Sequence, residues 1–278
     1  MSDAAPAAKP DDSPPLHIWV GFIAMHDGDP LAGVGTQATL DAFVAGRDAQ
    51  TMLLAEVGFW KTLQQALKLP LNLDASEETL VRHGAAMLHM GQSQEDRYFL
   101  REWLSKDGEP RRTRFKGVDD QPVVLPATVK HRGKGAILAS LPPGEWTYAW
   151  IRDGAYATAA FAALGMTEHA RDALNFYLDA EGGRFQSWDE LKPYAMPPYQ
   201  ISLVRYHGFG VEETDFNAFG PNLEFDGFGL FLWALRAHEQ LTGDTSVADA
   251  RWPLIRDKIA DAIVALVDPD TGLMRADS

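Results

Sequence analysis

The chain of 278 residues contains no cysteine. That excludes disulfides, thiolate metal sites and a cysteine nucleophile, and it leaves the redox compartment open. No apolar run approaches the ~18 residues that a membrane helix needs, so no transmembrane segment is expected. Positive charge is also scarce. Lys and Arg total 25 against 39 Asp and Glu, for a formal net charge of -14. Nucleic-acid phosphates and anionic membrane surfaces both require clustered cations, so neither is an expected partner. An uncharged ligand is the easiest to reconcile with such a surface. Several catalytic signatures are missing as well. "RGKGAI", residues 132–137, lacks the first glycine and the hydroxyl of a phosphate-binding loop. Neither H-E-x-x-H nor G-x-S-x-G occurs. The eight histidines are scattered, and His169 and His238 fall on expected helices in core or solvated roles. "DPDTG", 268–272, resembles a calcium loop in composition without the twelve-residue pattern. No cofactor and no metal are expected.

What is present is apolar residue enough, 46%, to bury a sizeable core. "MSDAAPAAKPDDSPP", 1–15, has no apolar stretch behind a basic start, so it reads as a disordered arm rather than a signal peptide. A cytoplasmic location is the expectation if Met1 is the true start. "LHIWVGFIAM" (16–25) reads as a strand, 36–46 as a short helix and 51–69 as a helix stopped before Pro70. The next helix begins near "DASEETLVRHGAAMLHM", with Ser76 as the expected cap. Residues 107–145 read as extended loop with short strands around "QPVVLPA" and "GAILASLP". Helices are expected over 153–165 and 167–183, joined as a tight hairpin, and over 222–243 and 246–267, the last interrupted by Pro253. Residues 184–221 read as one long aromatic loop, and loops of that length in compact domains are usually functional. From residue 76 onward the pattern is one of about six long helices joined as hairpins and arranged in a ring.

The most informative stretch is "WTYAWIRDGAY", 146–156. Trp146, Tyr148 and Trp150 recur at every second position and lead into Arg152, Asp153 and a run of small helix formers. Asp153 stands where a helix N-cap belongs. Arg152 cannot share its helix face, and a guanidinium there must meet a carboxylate or a ligand. Flat aromatic faces beside an Arg–Asp pair suit a sugar, whose C–H faces stack while its hydroxyls are hydrogen-bonded. A purely structural role, with the aromatics in the core and Asp153 as a cap, is equally compatible with these residues. Glu212 and Glu213 in "GVEETD" form a loop pair of the kind that is usually solvated.

"GAILASLPPGEWTYAWIRDGAYATAAFAALG" resembles the segment of glycoside hydrolase family 15, the glucoamylases, glucodextranases and related trehalases, in which Tyr-x-Trp-x-Arg-Asp opens a helix. "GMTEHARDALNFYL" continues the likeness, "FGPNLEFDGFGLFLWAL" is similar to the family's later segment in which Asp and Gly open an inner helix, and "VRHGAAMLHM" resembles the first barrel helix. The resemblance covers about residues 76–278. Residues 16–75 look like the tail of a β-sandwich and a linker helix.

The resemblance implies a mainly α fold, part of an (α/α)6 barrel or six-hairpin toroid, preceded by a short β segment and a linker helix. It implies inverting, exo-acting hydrolysis of α-glucosidic bonds in glucans, by two carboxyls about 6.5–9.5 Å apart. Arg152 and Asp153 match the pair that holds the terminal glucose. Tyr148 and Trp150 match the aromatic wall, Trp146 stands where a Tyr is usual, and Phe219 stands near the place of a fungal Trp. The family's general acid and base are expected beyond Ser278, so residues 76–278 are expected to be the N-terminal half of the barrel, binding an α-glucan or α-glucoside without a catalytic pair. Half a ring exposes apolar faces, which predicts poor solubility unless the chain dimerises. The alternative is a non-catalytic carbohydrate-binding or regulatory protein with a degenerate fold of this kind. Starch, isomalto-oligosaccharide, dextran and trehalose all fit the same terminal-glucose subsite.

Overall fold

The structure is a computed structural model that describes residues 41–42, 44–94, 103–104, 110–111, 133–141, 146, 148–186, 196–207, 210–217 and 220–274. The arm 1–15, the strand expected at 16–25, the "QPVVLPA" segment and Phe219 lie outside the described residues. The chain divides into two compact units, Met1–Lys61 and Thr62–Ser278. Residues 41, 42 and 44 are helical and precede α1 (Ala49–Ala66). Asp48 starts α1 by accepting hydrogen bonds from the backbone N–H and hydroxyl of Thr51.

In the second unit, α2 (Ala75–Gly91) is capped by Asp74 and not by Ser76 as the sequence suggested. The Asp74 side chain accepts from the N–H groups of Ser76 and Glu77, and the Glu77 carboxylate accepts from the N–H of Asp74. This is a capping box, and its reciprocity explains why the earlier residue wins. Strands β1 (Trp103–Leu104) and β2 (Pro110–Arg111) pair antiparallel. Strand β3 (Tyr148–Trp150) runs straight into α3 (Ile151–Ala163), which turns at Leu164–Met166 into α4 (Thr167–Asp179) as the expected hairpin. The segment read as one long loop carries β4 (Arg205–His207), β5 (Val211–Glu213) and the short pairing of β6 (Phe216–Asn217) with β7 (Gly220–Pro221). Then come α5 (Asp226–Thr242), α6 (Ser246–Ile255), a π turn over Arg256–Ala260 and α7 (Asp261–Ala265). Pro253 lacks the N–H that would reach the Asp249 carbonyl, and the ladder is rearranged within the next turn. The described chain is mainly helical with few strands.

Helical spacing selects the core. On α3, Ile151, Gly154, Ala155, Thr158, Phe161 and Ala162 are buried; on α5, Phe228, Phe231, Ala234, Leu235 and His238 are. They pack with Leu174, Phe176 and Tyr177 of α4 and with Ile255, Ile259 and Leu266. A second cluster joins Phe161, Ala170 and Ala173 to Ala85 of α2. α3 and α5 run side by side in one direction, because Arg152 meets Asp226 at their starts and Tyr156 meets Trp233 further along. Gly227 permits that approach: a β-carbon there would lie 2.6 Å from Cγ2 of Ile151. Gly154 does the same toward α4, since a β-carbon would sit 1.7 Å from the Tyr177 hydroxyl. That hydroxyl donates to the carbonyl of Trp150, the residue that ends β3. Replacing Gly154 with Ala is expected to cost about 1–3 kcal/mol through overpacking. A thermal melt checks this; an unchanged midpoint would show that α3 and Tyr177 are not locked together.

Candidate functional site

The three-stranded sheet has the order β3-β4-β5, and its register sorts the side chains into two faces. Ala149, Tyr206 and Glu212 are cross-strand partners, and all three are fully buried. Trp150, Arg205 and Glu213 form the next row and point to the opposite face, because side chains alternate along a strand. Tyr148 lies two residues before Trp150 and shares that face. The sequence-expected aromatic wall is therefore brought together. Trp150 stands 5.7 Å from Tyr148 and 5.8 Å from Trp146 between ring centroids, both edge-to-face, and Trp146 is 58% exposed.

At the end of the wall, β3 delivers Arg152 and Asp153 into the first turn of α3. The helix begins at Ile151 with Trp150 as its cap, and Trp150 makes no side-chain capping bond. Asp153 is thus not the N-cap but an exposed residue of the first turn, with no hydrogen bond or ion pair among the described residues. Its carboxylate favours the positive helix end without closing it. Arg152 finds carboxylates, as its position demanded. Its Nε–H donates to Asp226 Oδ2 at 2.7 Å and its Nη2–H to Glu224 Oε2 at 2.6 Å. Hydrogen bonds to Asp226 and then Glu224 raise the guanidinium pKa, so Arg152 stays charged. One nitrogen, Nη1, takes no part in this clamp, and the Arg152 side chain is half-exposed. Glu224 and Asp226 come from the start of α5, about seventy residues on. The sequence offered one clue to them, the Asp-Gly that opens that helix. Phe219 lies outside the described residues.

Behind the wall sits a buried cation. Arg205 is 8% exposed; its Nε–H donates to Glu213 Oε1 at 3.1 Å, and Nη1 and Nη2 grip Asp215 at 2.9 and 2.8 Å. Its guanidinium lies 5.3 Å from the ring centre of Tyr148 and 5.4 Å from that of Trp150. Glu212 and Glu213 are not a solvated loop pair. They are strand residues, 0% and 2% exposed, aimed in opposite directions. Glu212 accepts from the N–H groups of Arg184 and Leu203 and from the Tyr199 hydroxyl, which itself accepts from the N–H of Phe185. Burial pushes the Glu212 carboxyl up to about 8 against those donors, and pushes Glu213 up to about 7 against Arg205. Burial in this way selects carboxylates that alternation in a short strand could have revealed, had the loop been read as sheet.

No family model matches the chain, and no solved structure matches it. A trehalase of Mycolicibacterium smegmatis is 26% identical over 157 residues, covering 50% of this chain and 23% of that protein. The match thus spans less than a quarter of the relative's length.

Both buried carboxyls titrate above their ordinary value of 4.5. The native state therefore holds more protons than the unfolded chain between about pH 4.5 and 8, and stability falls as pH rises through that window. Each group contributes a slope of up to about 1.4 kcal/mol per pH unit. Urea unfolding at pH 5, 6.5 and 8 measures it, and Glu212→Gln is expected to flatten the slope. An equal slope in the variant overturns the assignment.

Proposed function

We propose that this chain belongs to a glycoside hydrolase of the six-hairpin (α/α)6 type, and that Arg152 and Asp153 bind the terminal glucose of an α-glucoside against the wall of Trp146, Tyr148 and Trp150. The observation that carries the reading is the juxtaposition at the start of α3. Glu224 and Asp226 clamp the Arg152 guanidinium where α3 and α5 start, Asp153 is the next residue of α3, and the segment that enters α3 carries the rings of Trp146, Tyr148 and Trp150. Asp153, Glu224 and Asp226 accept hydroxyl protons, and Nη1 of Arg152 donates to a hydroxyl oxygen. With one cation against three anions, the cluster repels a phosphate or carboxylate ligand and suits a neutral polyol. The ring faces take the apolar C–H face of a pyranose. The likeness to a trehalase supports a glycoside as the ligand.

In the finer reading, the reaction is inverting, exo-acting release of glucose from an α-glucan. This chain's part in it is recognition. Asp226 and Glu224 are engaged with Arg152, and Glu212 and Glu213 lie behind the wall, so neither the acid nor the base of an inverting pair is assigned to a described residue. Residues 76–278 would then form one half of the helical ring.

Isothermal titration of the chain with trehalose, maltose and isomaltose tests recognition and ranks the linkage. Asp153→Asn is expected to weaken binding about tenfold, equivalent to ~1.4 kcal/mol, with a stability loss below about 1 kcal/mol because Asp153 makes no hydrogen bond or ion pair among the described residues. A large stability loss with unchanged sugar affinity would sink the binding role. Glucose release by the unmodified chain would overturn the assignment of recognition without turnover.

A further inference from the structure

The aromatic wall is not held by the sheet backbone alone. Two of its rings, those of Tyr148 and Trp150, converge on the Arg205 guanidinium. All three guanidinium nitrogens donate to carboxylates: Nε to Glu213, Nη1 and Nη2 to Asp215. Arg205 thus spends three of its five N–H groups on carboxylates. Its place in the site is behind the wall. The two carboxylates differ in kind. Asp215 is 71% exposed and grips the planar fork from outside, whereas Glu213 is 2% exposed and its Oε2 is buried with no hydrogen-bond partner among the described residues. A buried carboxylate with a vacant oxygen is costly unless its charge is needed where it stands. Here it stands directly across the sheet from Arg205, and Arg205 directly across from Trp150.

We propose that Glu213 is a positioning residue for the sugar-facing wall: together with Asp215 it holds Arg205 under Tyr148 and Trp150, and so sets the ring orientation against which the ligand stacks. This rests on the reading of the wall as part of a sugar site. The row Trp150–Arg205–Glu213 transmits the constraint in one step per strand. An edge-to-face triad such as Trp146–Trp150–Tyr148 has little to fix its angles except what lies behind it. A fork held on three nitrogens fixes the place of the guanidinium, and the two nearly perpendicular rings pack around that fixed group.

The experiment pairs near-ultraviolet circular dichroism with titration by trehalose and maltose. The coupled-ring signal of the wall is identified as the part lost in Trp150→Phe. Glu213→Gln is expected to reduce that signal with the far-ultraviolet spectrum unchanged, and to weaken sugar binding about three- to tenfold. Glu213→Asp, which keeps the charge at shorter reach, is expected to restore part of both. If Glu213→Gln fails to fold, Asp215→Asn loosens the same fork from the solvent side and is expected to lower signal and affinity together. A folded variant of either residue with the wild-type ring signal overturns the positioning role. So does a changed signal with unchanged affinity in a chain that binds sugar. Failure of the unmodified chain to bind any of these sugars sinks the proposed function instead, and the ring signal still reports on the role of Glu213.

Discussion

A fully buried carboxyl, that of Glu212, fixes the part of the chain on which everything else is placed. It gathers Arg184, Leu203 and Tyr199 onto one group and so closes the segment between α4 and β4 around a single point. Its neighbour in the strand must face the other way. Once Glu212 is anchored in the core, alternation commits Glu213, and with it Arg205 and Trp150, to the opposite face. A shift of one residue would exchange the faces of Arg205 and Tyr206. The buried carboxyl is expensive in itself, but in a sheet of three short strands it supplies the register that backbone pairing over three residues leaves weak.

The start of α3 then follows from covalent continuity. Trp150 both ends β3 and precedes the first helical residue, so Arg152 and Asp153 emerge where the aromatic face ends. Two parallel helices bring two positive dipole ends together there, and Arg152 adds a third positive charge. Asp153, Asp226 and Glu224 offset them. The first two lie in the opening turns of their own helices, and Glu224 lies just before its helix. Both helices begin on aromatic residues that make no side-chain capping bond, which leaves their first N–H groups directed at the same surface as the carboxylates. Donors and acceptors are thus interleaved over a few ångströms, the arrangement that a ring of hydroxyls requires.

Helix existence was legible because it rests on local periodicity. The hairpin at 164–166 and the turn that follows α7 could be read directly, and Asp268 accepts from Asp270 and Thr271 in that turn. Helix starts were less legible. Asp153 has the composition of a cap, but β3 feeds the helix two residues earlier, and Ser76 yields to Asp74 because only Asp74 has a Glu three residues on. The sheet was missed altogether. Its strands are three residues long, and β3 lies over fifty residues from its partner β4, so neither length nor pattern separates them from loop. The same separation concealed the partners of Arg152. That it needed a carboxylate was readable from its chemistry; that Glu224 and Asp226 would both supply one depends on α3 and α5 lying parallel.

The exposed pair Tyr156 and Trp233 shows how far this logic extends along the helices. They lie 5.3 Å apart, one turn beyond Arg152 and two beyond Asp226, on the same faces. From the helix starts inward, the shared surface changes from charged to aromatic to small, with Ala159, Ala160 and Ala163 on α3. A surface that bound only ions would stay polar along its length, and one that served only as core would not begin with four charged groups. The gradient separates two kinds of surface on one pair of helices: charged at their starts and apolar further in. The side chains of the first are set by the sheet, and those of the second by helical spacing alone.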